Sequence, residues 1–364
     1  MKIKAAIARE AKKPLQIEEV EIREPNNTEI LVRMIACGVC HTDEVARNQA
    51  IPVPLPAVLG HEGSGIVEAV GDFVTEFKPG DHVVLTFGSC GACEFCLSGK
   101  PYACSKMLDI NFGGKLQHGG HSRCQGDEEV STFFCQSSFA TYAIADSANA
   151  VKVDKEIDLA LLGPLGCGIQ TGAGAVLNCL NPEFASTIAI FGCGGVGLSA
   201  IMAAKISKCK TIIAVDIFND KLALAKELGA THVINSLKVK DVANEIKKLT
   251  QEGVNYAVET TGVPSVINVA LYSLKSLGKL VILGVAGEVS IDLYQALMGE
   301  GKSMLGVIEG NSNPKLFIPK LIEYYKKGQF PIEKLVTYYS FEEINQAFED
   351  SKKGKVIKPI IKFS

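Results

Sequence analysis

No run of about 20 uninterrupted apolar residues occurs anywhere in this sequence, which removes the ordinary signature of a membrane-spanning helix. The first residues, Met1 to Arg9, also lack a charged leader followed by an apolar stretch. The expectation is a soluble, unexported, cytoplasmic protein without a membrane partner. Charge of one sign is missing too. The 37 basic and 40 acidic residues are well mixed and leave a net charge of −3, so no broad field exists for nucleic acid or an anionic surface. There is no internal repeat and no low-complexity segment, which excludes solenoid arrays and tails of biased composition. A small-molecule ligand is what remains.

The chain has 364 residues, 47% of them hydrophobic, which exceeds what one growing core uses and predicts two globular domains. Twelve cysteines are many for a chain in a reducing compartment, where a disulfide framework is neither needed nor stable. Metal binding is the better use. Cys90, Cys93, Cys96 and Cys104 follow a C-x2-C-x2-C-x7-C pattern among Gly88, Gly91 and Gly99. Four thiolates in so short a loop suit tetrahedral zinc and leave no position for water, so such an ion braces a lobe and takes no part in catalysis. The alternative, four ordinary reduced cysteines, fits the spacing poorly.

From Ile3 to about Ala145, short β-type runs (Ile3 to Ala8, Glu29 to Ala36, Gly65 to Val70, His82 to Leu85) alternate with Gly, Pro and Asp, which predicts an irregular β domain. From about Thr171 helical stretches (Leu198 to Ile206, Lys221 to Leu228) alternate with strand-like runs (Thr187 to Phe191, Thr211 to Val215, Lys279 to Leu283). That alternation marks a parallel sheet wrapped by helices, an α/β architecture. Asn311 to Pro314 reads as a turn between domains. The tail adds helical patterns at Phe317 to Lys326 and Phe341 to Ser351, then a β-rich run, Val356 to Phe363, expected to return and complete the first domain.

The run Thr187 to Phe191 leads into Gly192-Cys193-Gly194-Gly195-Val196-Gly197, which opens an apolar helix, and a second strand ends at Asp216, nineteen residues after Gly197. Strand, turn, helix and terminal acid in that order predict a Rossmann dinucleotide site. Gly192 permits the tight turn, Gly194 admits the pyrophosphate, Gly197 lets the helix lie on the strand, and the helix N-terminus favours the phosphates. Asp216 would bond the adenosine ribose and repel a 2′-phosphate, with no arginine in Ile217 to Lys221 to offset it, so NAD is expected over NADP. Cys193 reads most simply as a small apolar filler in this loop, with a reactive thiol as the alternative.

Two further segments carry zinc-type donors, Cys37-Gly38-Val39-Cys40-His41-Thr42-Asp43 and Gly60-His61-Glu62-Gly63, with a third donor at Cys167. Singly, each is as readily a packed core residue as a ligand. Their order is more specific. Gly-Val-Cys-His-Thr-Asp, Gly-His-Glu-Gly-Ser-Gly, the clustered cysteines, Gly-Cys-Gly and the glycine-rich turn together resemble the zinc-dependent medium-chain alcohol dehydrogenases over essentially the whole chain. Within that family, Pro52 to Pro56, Gln136 to Tyr142 and Gly163 to Gly172 are most similar to the bacterial aryl (benzyl) alcohol dehydrogenases.

The resemblance implies a GroES-like irregular β catalytic domain over 1–168, completed by 311–364, and a doubly wound Rossmann NAD-binding domain over 169–310. It implies two zinc ions per chain: a catalytic one on Cys40, His61 and Cys167 with an open fourth position, and a structural one on Cys90, Cys93, Cys96 and Cys104. The chemistry of the residues agrees, because two thiolates and an imidazole leave a Lewis-acid position that lowers the pKa of a bound alcohol and lets the alkoxide release hydride. The resemblance also puts Asp43 behind His61, makes Glu62 a transient further ligand, and gives Thr42 the alcohol proton. Thr171 and Val196 would lie along the nicotinamide, Lys221 near the adenosine ribose, and His41 and Lys358 near the pyrophosphate. It implies a homodimer or homotetramer joined near Leu293 to Gly310.

One departure stands out. A histidine that ends the proton relay in many members is replaced by Val45, which takes no proton, so the proton is expected to leave through water or His41. The expected activity is NAD-linked oxidation of a primary, benzyl-type alcohol to its aldehyde. The rivals are S-hydroxymethylglutathione oxidation, disfavoured by Gln136 to Tyr142, a general primary alcohol dehydrogenase, and a polyol or threonine dehydrogenase, disfavoured by the thiolate at Cys167. A non-enzymatic NAD- or zinc-binding interaction protein would have no use for the open metal set. Elsewhere, His118, His121 and Cys124 have metal-like spacing in a Gly-rich stretch expected to be a surface loop. Cys37, Cys135, Cys179 and Cys209 should pack as small hydrophobes. The mixed charges of Lys238 to Lys248 suit a solvated helix face.

Overall fold

The computed structural model describes residues 1–363, which divide into two compact units. The first comprises Met1–Cys167, Asn313–Ile322 and Ile332–Ser364, and the second Gly168–Ser312 and Glu323–Pro331. Of the 311–364 stretch expected with the first domain, 313–322 and 332–364 fall in the first unit, and 311–312 and 323–331 in the second. The change of unit falls inside one helix, Pro314–Lys326, so no turn signal in the sequence marks it.

The first unit is built on two sheets. Lys2–Ala8, Gln16–Ile22, Arg123–Gln125, Glu128–Thr132 and Ala57–Val58 close into a small barrel, which leaves its strands no free edge. The second sheet centres on Glu29–Gly38, the longest strand of the unit, where buried positions run almost without interruption. It pairs antiparallel with Glu62–Val70, with Tyr142–Asp146 and with the C-terminal Lys358–Lys362, and Val336–Ser340 lies parallel to that last strand. A continuous apolar run is what a strand covered on both faces requires. One large cluster, including Ile7, Val32, Leu59, Phe133 and Phe139, forms the core.

In the second unit six parallel strands are ordered His232–Asn235, Thr211–Asp216, Thr187–Phe191, Val254–Glu259, Leu274–Ile282, Ser303–Gly306. Numbered within this unit, that order is 3-2-1-4-5-6, the doubly wound arrangement whose ligand crevice opens beside the first strand. The β-branched residues of Thr187–Phe191 and Thr211–Asp216 account for their pairing, and Ala189, Ile213, Val258 and Leu280 are wholly buried. The expected strand Lys279 to Leu283 begins earlier, at Leu274, and the expected Phe341 to Ser351 helix starts as a 3-10 turn, Phe341–Glu343, before Ile344–Lys352. Among the described residues no single helix is long and apolar enough to cross a membrane.

Candidate functional site

Cys40 ends the loop after strand Glu29–Gly38 and precedes helix His41–Arg47, His61 precedes strand Glu62–Val70, and Cys167 follows the 3-10 turn Gly163–Gly166. The fold brings one donor atom from each within 4.8 Å of the others, from positions far apart in sequence. His61 is fully buried. Its Nδ1 lies 2.9 Å from Asp43 Oδ1, while its Nε2 has no hydrogen-bond partner. An imidazole nitrogen buried without a partner costs free energy unless something binds it, and a metal ion does so. Asp43, also fully buried, organises both neighbours: its Oδ1 accepts the Gly60 N–H at 3.0 Å and its Oδ2 the Cys40 N–H at 2.9 Å. Cys40 is held well below the ordinary thiol range, chiefly by a hydrogen bond from Cys167, against the opposing effect of burial and with help from the Lys358 and His61 charges. Two sulfurs beside an imidazole nitrogen without a hydrogen-bond partner form a donor set that fits zinc and leaves one tetrahedral position open.

Glu62 follows His61 and is fully buried. The Lys358 ammonium donates to its two oxygens at 2.8 and 2.9 Å and to the Val39 carbonyl at 3.2 Å. The structure thus gives Lys358 a carboxylate partner next to the metal set that the sequence did not reveal, because the pair spans almost the entire chain. The Gly38 hydrogen side faces this pair: a Cβ there would lie 2.1 Å from Glu62 Oε2. Thr42 is half-buried with its Oγ1 3.7 Å from Cys40 Sγ, His41 is exposed, and Val45 is buried.

A second shell of contacts, also not legible beforehand, surrounds His61. Gln136 donates from Nε2 to the His61 carbonyl at 3.0 Å and to the Thr86 carbonyl at 3.2 Å, while its Oε1 accepts from Gly63 N at 3.3 Å and Ser138 Oγ at 2.6 Å. The rings of Phe134 and Phe133 lie 4.5 and 5.4 Å from the imidazole. Within the Gln136 to Tyr142 stretch, it is Gln136 that holds the backbone on either side of Glu62, at His61 and Gly63.

The other cysteine set is compact in sequence and in space. The donor atoms of Cys90, Cys93, Cys96 and Cys104 all lie within 4.8 Å of one another. Backbone N–H groups point at the sulfurs: Cys93 N donates to Cys90 Sγ, and Cys90 N and Lys106 N donate to Cys104 Sγ, at 3.3 to 3.4 Å. Backbone N–H groups of Cys96 and Ser105 hold the Cys93 thiol down to about 5, whereas burial and then the Cys93 sulfur push Cys96 up to about 12. One thiolate thus opposes ionisation of the next, a conflict that a central cation removes. Four sulfurs with no open position fit a structural zinc.

In the second unit Gly192 has φ 91°, and Gly197 could carry no side chain because its Cβ would meet the Gly192 carbonyl oxygen at 1.8 Å. Gly194 has open space above it and caps helix Gly195–Ile206, whose N-terminal N–H groups suit phosphate. The Asp216 carboxylate accepts from the N–H groups of Cys193, Ile217 and Phe218 at 2.6, 2.7 and 2.9 Å, tying the glycine turn to the end of the second strand. Asp216, Ile217, Phe218, Lys221, Thr261 and Val263 line a cavity of about 290 Å³, and the Lys221 ammonium lies 4.9 Å from the Phe218 ring. A largely apolar lining that includes one carboxylate, Asp216, fits an adenosine. Gly172 lets helix Gly168–Gly174 touch the Val196 carbonyl, and Thr171 Oγ1 donates to Glu309 at 3.4 Å.

His118 is exposed and His121 lies 3.1 Å from Glu129, so this loop forms a surface pairing and no metal cluster among the described residues. Burial pushes the Cys37, Cys135, Cys179 and Cys209 thiols up, as for packed apolar groups.

Comparison with known proteins gives concordant results. Residues 26–155 match the alcohol dehydrogenase GroES-like domain, and residues 195–324 match the zinc-binding dehydrogenase model. The chain is 43% identical to a geraniol dehydrogenase of Castellaniella defragrans, over 99% of this chain and 97% of that protein. It is 48% identical to the benzyl alcohol dehydrogenase of Acinetobacter calcoaceticus, whose crystal structure superposes with a TM-score of 0.96 over 100% of both chains. An alcohol dehydrogenase zinc-binding domain protein from Burkholderia ambifaria, also 48% identical, superposes with a TM-score of 0.97 over 100% of this chain and 99% of that one.

Proposed function

This chain belongs to the zinc-dependent medium-chain alcohol dehydrogenases, and from that premise we propose that it oxidises a primary, benzyl-type alcohol to the aldehyde with NAD as acceptor. The observation that carries the site assignment is the buried, unpartnered His61 Nε2 within reach of the Cys40 and Cys167 sulfurs. When bound at Cys40, His61 and Cys167, zinc supplies a Lewis acid that lowers the alcohol's pKa, and NAD supplies the hydride acceptor. Asp43 fixes the His61 tautomer by holding Nδ1–H, which leaves Nε2 as the donor to the metal. The Thr42 hydroxyl, close to Cys40, accepts the alcohol proton, and His41, exposed beside it, passes that proton to water. Val45 takes no part in this relay. A second zinc on Cys90, Cys93, Cys96 and Cys104 makes two per chain.

In the NAD site Asp216 would take the adenosine ribose hydroxyls and disfavour a 2′-phosphate, with the glycine turn and the helix it opens at the pyrophosphate. Lys221 would stand near that ribose, Thr171 and Val196 along the nicotinamide, and His41 toward the pyrophosphate; the expected place of Lys358 there is corrected, because its buried ammonium is taken up by Glu62 and the Val39 carbonyl. Two copies would join along Ser303–Gly306. That strand has a neighbour on one side only, and Leu293, Tyr294, Met298, Met304, Leu305 and Ile308 around it are exposed.

The relatives named for benzyl alcohol and geraniol both act on primary alcohols whose carbinol carbon adjoins a π system, benzylic in one and allylic in the other. An allylic terpenoid alcohol is accordingly the second reading. Following NADH absorbance with benzyl alcohol, geraniol, ethanol and S-hydroxymethylglutathione, with NAD or NADP and with or without a zinc chelator, tests the proposal. Benzyl alcohol should turn over best, with NAD, and fail after chelation. Faster turnover of geraniol selects the allylic reading, and turnover of ethanol alone or of the glutathione adduct overturns both.

A further inference from the structure

Arg123 is the largest side chain in the molecule to be fully buried, at 2% exposure, and it has no carboxylate partner among the described residues. Burial without an anion is costly for a guanidinium and pulls its pKa down to about 9. What it holds is backbone. Nη2 donates to the carbonyls of Gln136, Ser137 and Tyr142 at 3.3, 3.1 and 3.1 Å, and Nη1 donates to Ser122 Oγ at 3.0 Å.

Those carbonyls belong to, or closely follow, an unusual turn. Phe134, Cys135 and Ser137 have φ of 51°, 51° and 53°. None is glycine, and each left-handed residue costs about 1–2 kcal/mol, so the turn persists only if its surroundings over-determine it. Arg123 supplies two of the bonds that do so, to the Gln136 and Ser137 carbonyls, and a third ties the turn to the start of strand Tyr142–Asp146. Ser137 adds two more, from its Oγ to the Val58 carbonyl at 2.6 Å and from Phe133 N to its Oγ at 2.8 Å. The same turn carries three groups that hold His61: the Phe133 and Phe134 rings against its imidazole and the Gln136 amide that grips the His61 carbonyl and Gly63 N–H.

We propose that Arg123 is a positioning residue for the catalytic metal set: by binding the carbonyls of the strained turn it fixes Gln136, Phe133 and Phe134, and through them the approach of His61 to the metal. This rests on the reading of Cys40, His61 and Cys167 as zinc ligands. Arg123 touches neither substrate nor metal. Its effect appears as retention of one zinc and not the other.

The test follows zinc release from the full-length protein into a chromogenic chelator, for the parent and for Arg123→Met, Arg123→Lys and Gln136→Asn, with thermal unfolding in parallel. His61→Ala and Cys93→Ser assign the two release phases. Arg123→Met and Gln136→Asn should speed release from the Cys40 set by about 10- to 100-fold, as expected for lost outer support of a ligand, and leave the four-cysteine phase unchanged. Arg123→Lys, whose ammonium still offers three donors to the carbonyls, should fall nearer the parent. Acceleration of both phases together, or of neither, overturns the proposal. Should Arg123→Met fail to fold, Arg123→Gln, which keeps a single amide donor in place of the guanidinium, takes its place under the same criteria, with Arg123→Lys expected nearer the parent. A parent that binds only one zinc, on the four cysteines, overturns the metal reading itself and this inference with it.

Discussion

Replacing Lys358 with methionine takes from the Glu62 carboxylate its ammonium partner in a place water does not reach. The two side chains are 6% and 0% exposed and share bonds of 2.8 and 2.9 Å, so this is a buried pair and no surface ornament. Removing one partner of such a pair costs about 3–5 kcal/mol, because the other charge is left uncompensated. The Val39 carbonyl also loses its donor, adding roughly 1 kcal/mol. Removing both, as Glu62→Gln with Lys358→Met, should return most of the loss, since no charge is then buried alone.

The pH dependence has a definite sign. Burial pushes the Glu62 carboxyl above 4.5, and the Lys358 ammonium opposes that rise. Without the ammonium the carboxyl climbs further. Below 4.5 it is protonated in both the folded and the unfolded chain, and the Lys358→Met variant loses only hydrogen bonds. Above that value, and up to the raised folded value, unfolding releases a proton, so stability falls as pH rises, by at most about 1.4 kcal/mol per pH unit. The variant's deficit relative to the parent should therefore grow from acid toward neutral pH. The assay is urea unfolding of the parent, both single variants and the double variant across that range, with zinc saturating. An additive cycle, or a deficit that shrinks as pH rises, refutes the account.

Asp216→Ser removes the acceptor of three N–H groups that shapes the glycine turn, and should raise KM for NAD by about 10-fold while narrowing the preference over NADP, read from kcat/KM with each cofactor. His41→Ala should alter the pH profile of single-turnover hydride transfer without changing zinc content, because the exposed imidazole would no longer carry the proton outward. A profile identical to the parent removes His41 from the relay.

Features encoded locally were legible before any coordinates. The four cysteines of the Cys90–Cys104 loop and the Gly192 to Gly197 turn are dictated by residues next to one another, and the strand Thr187–Phe191 was delimited correctly because Gly192 ends it. Strand ends elsewhere slipped by a few residues, as where Glu62–Val70 begins before the expected Gly65, since pairing with Glu29–Gly38 resumes after an irregularity between Gly65 and Ser64 and runs on to Glu62 without a β-branched residue. What was illegible acts at long range or against local preference. Nothing in the sequence pairs Lys358 with Glu62. Nothing marks Phe134 and Cys135 as left-handed, because non-glycine residues adopt that conformation only under tertiary constraint. Helix Pro314–Lys326 likewise hides the change of unit at Glu323.

The C-terminal strand Lys358–Lys362 pairs with Cys37 and Gly38 in the central strand of the first unit and brings Lys358 to Glu62. During synthesis, then, the first 167 residues emerge long before the strand that completes their sheet, whereas residues 168–312 can close their own sheet as soon as they leave the ribosome. The polypeptide finishes its nucleotide-binding half first and its metal-binding half last, with Glu62 waiting for a lysine translated almost three hundred residues later. A ribosome that stops short of Lys358 leaves behind a chain with a formed Rossmann sheet and an unfinished barrel-and-sheet unit, exposed to proteases and chaperones at the strand where its zinc chemistry would have been assembled.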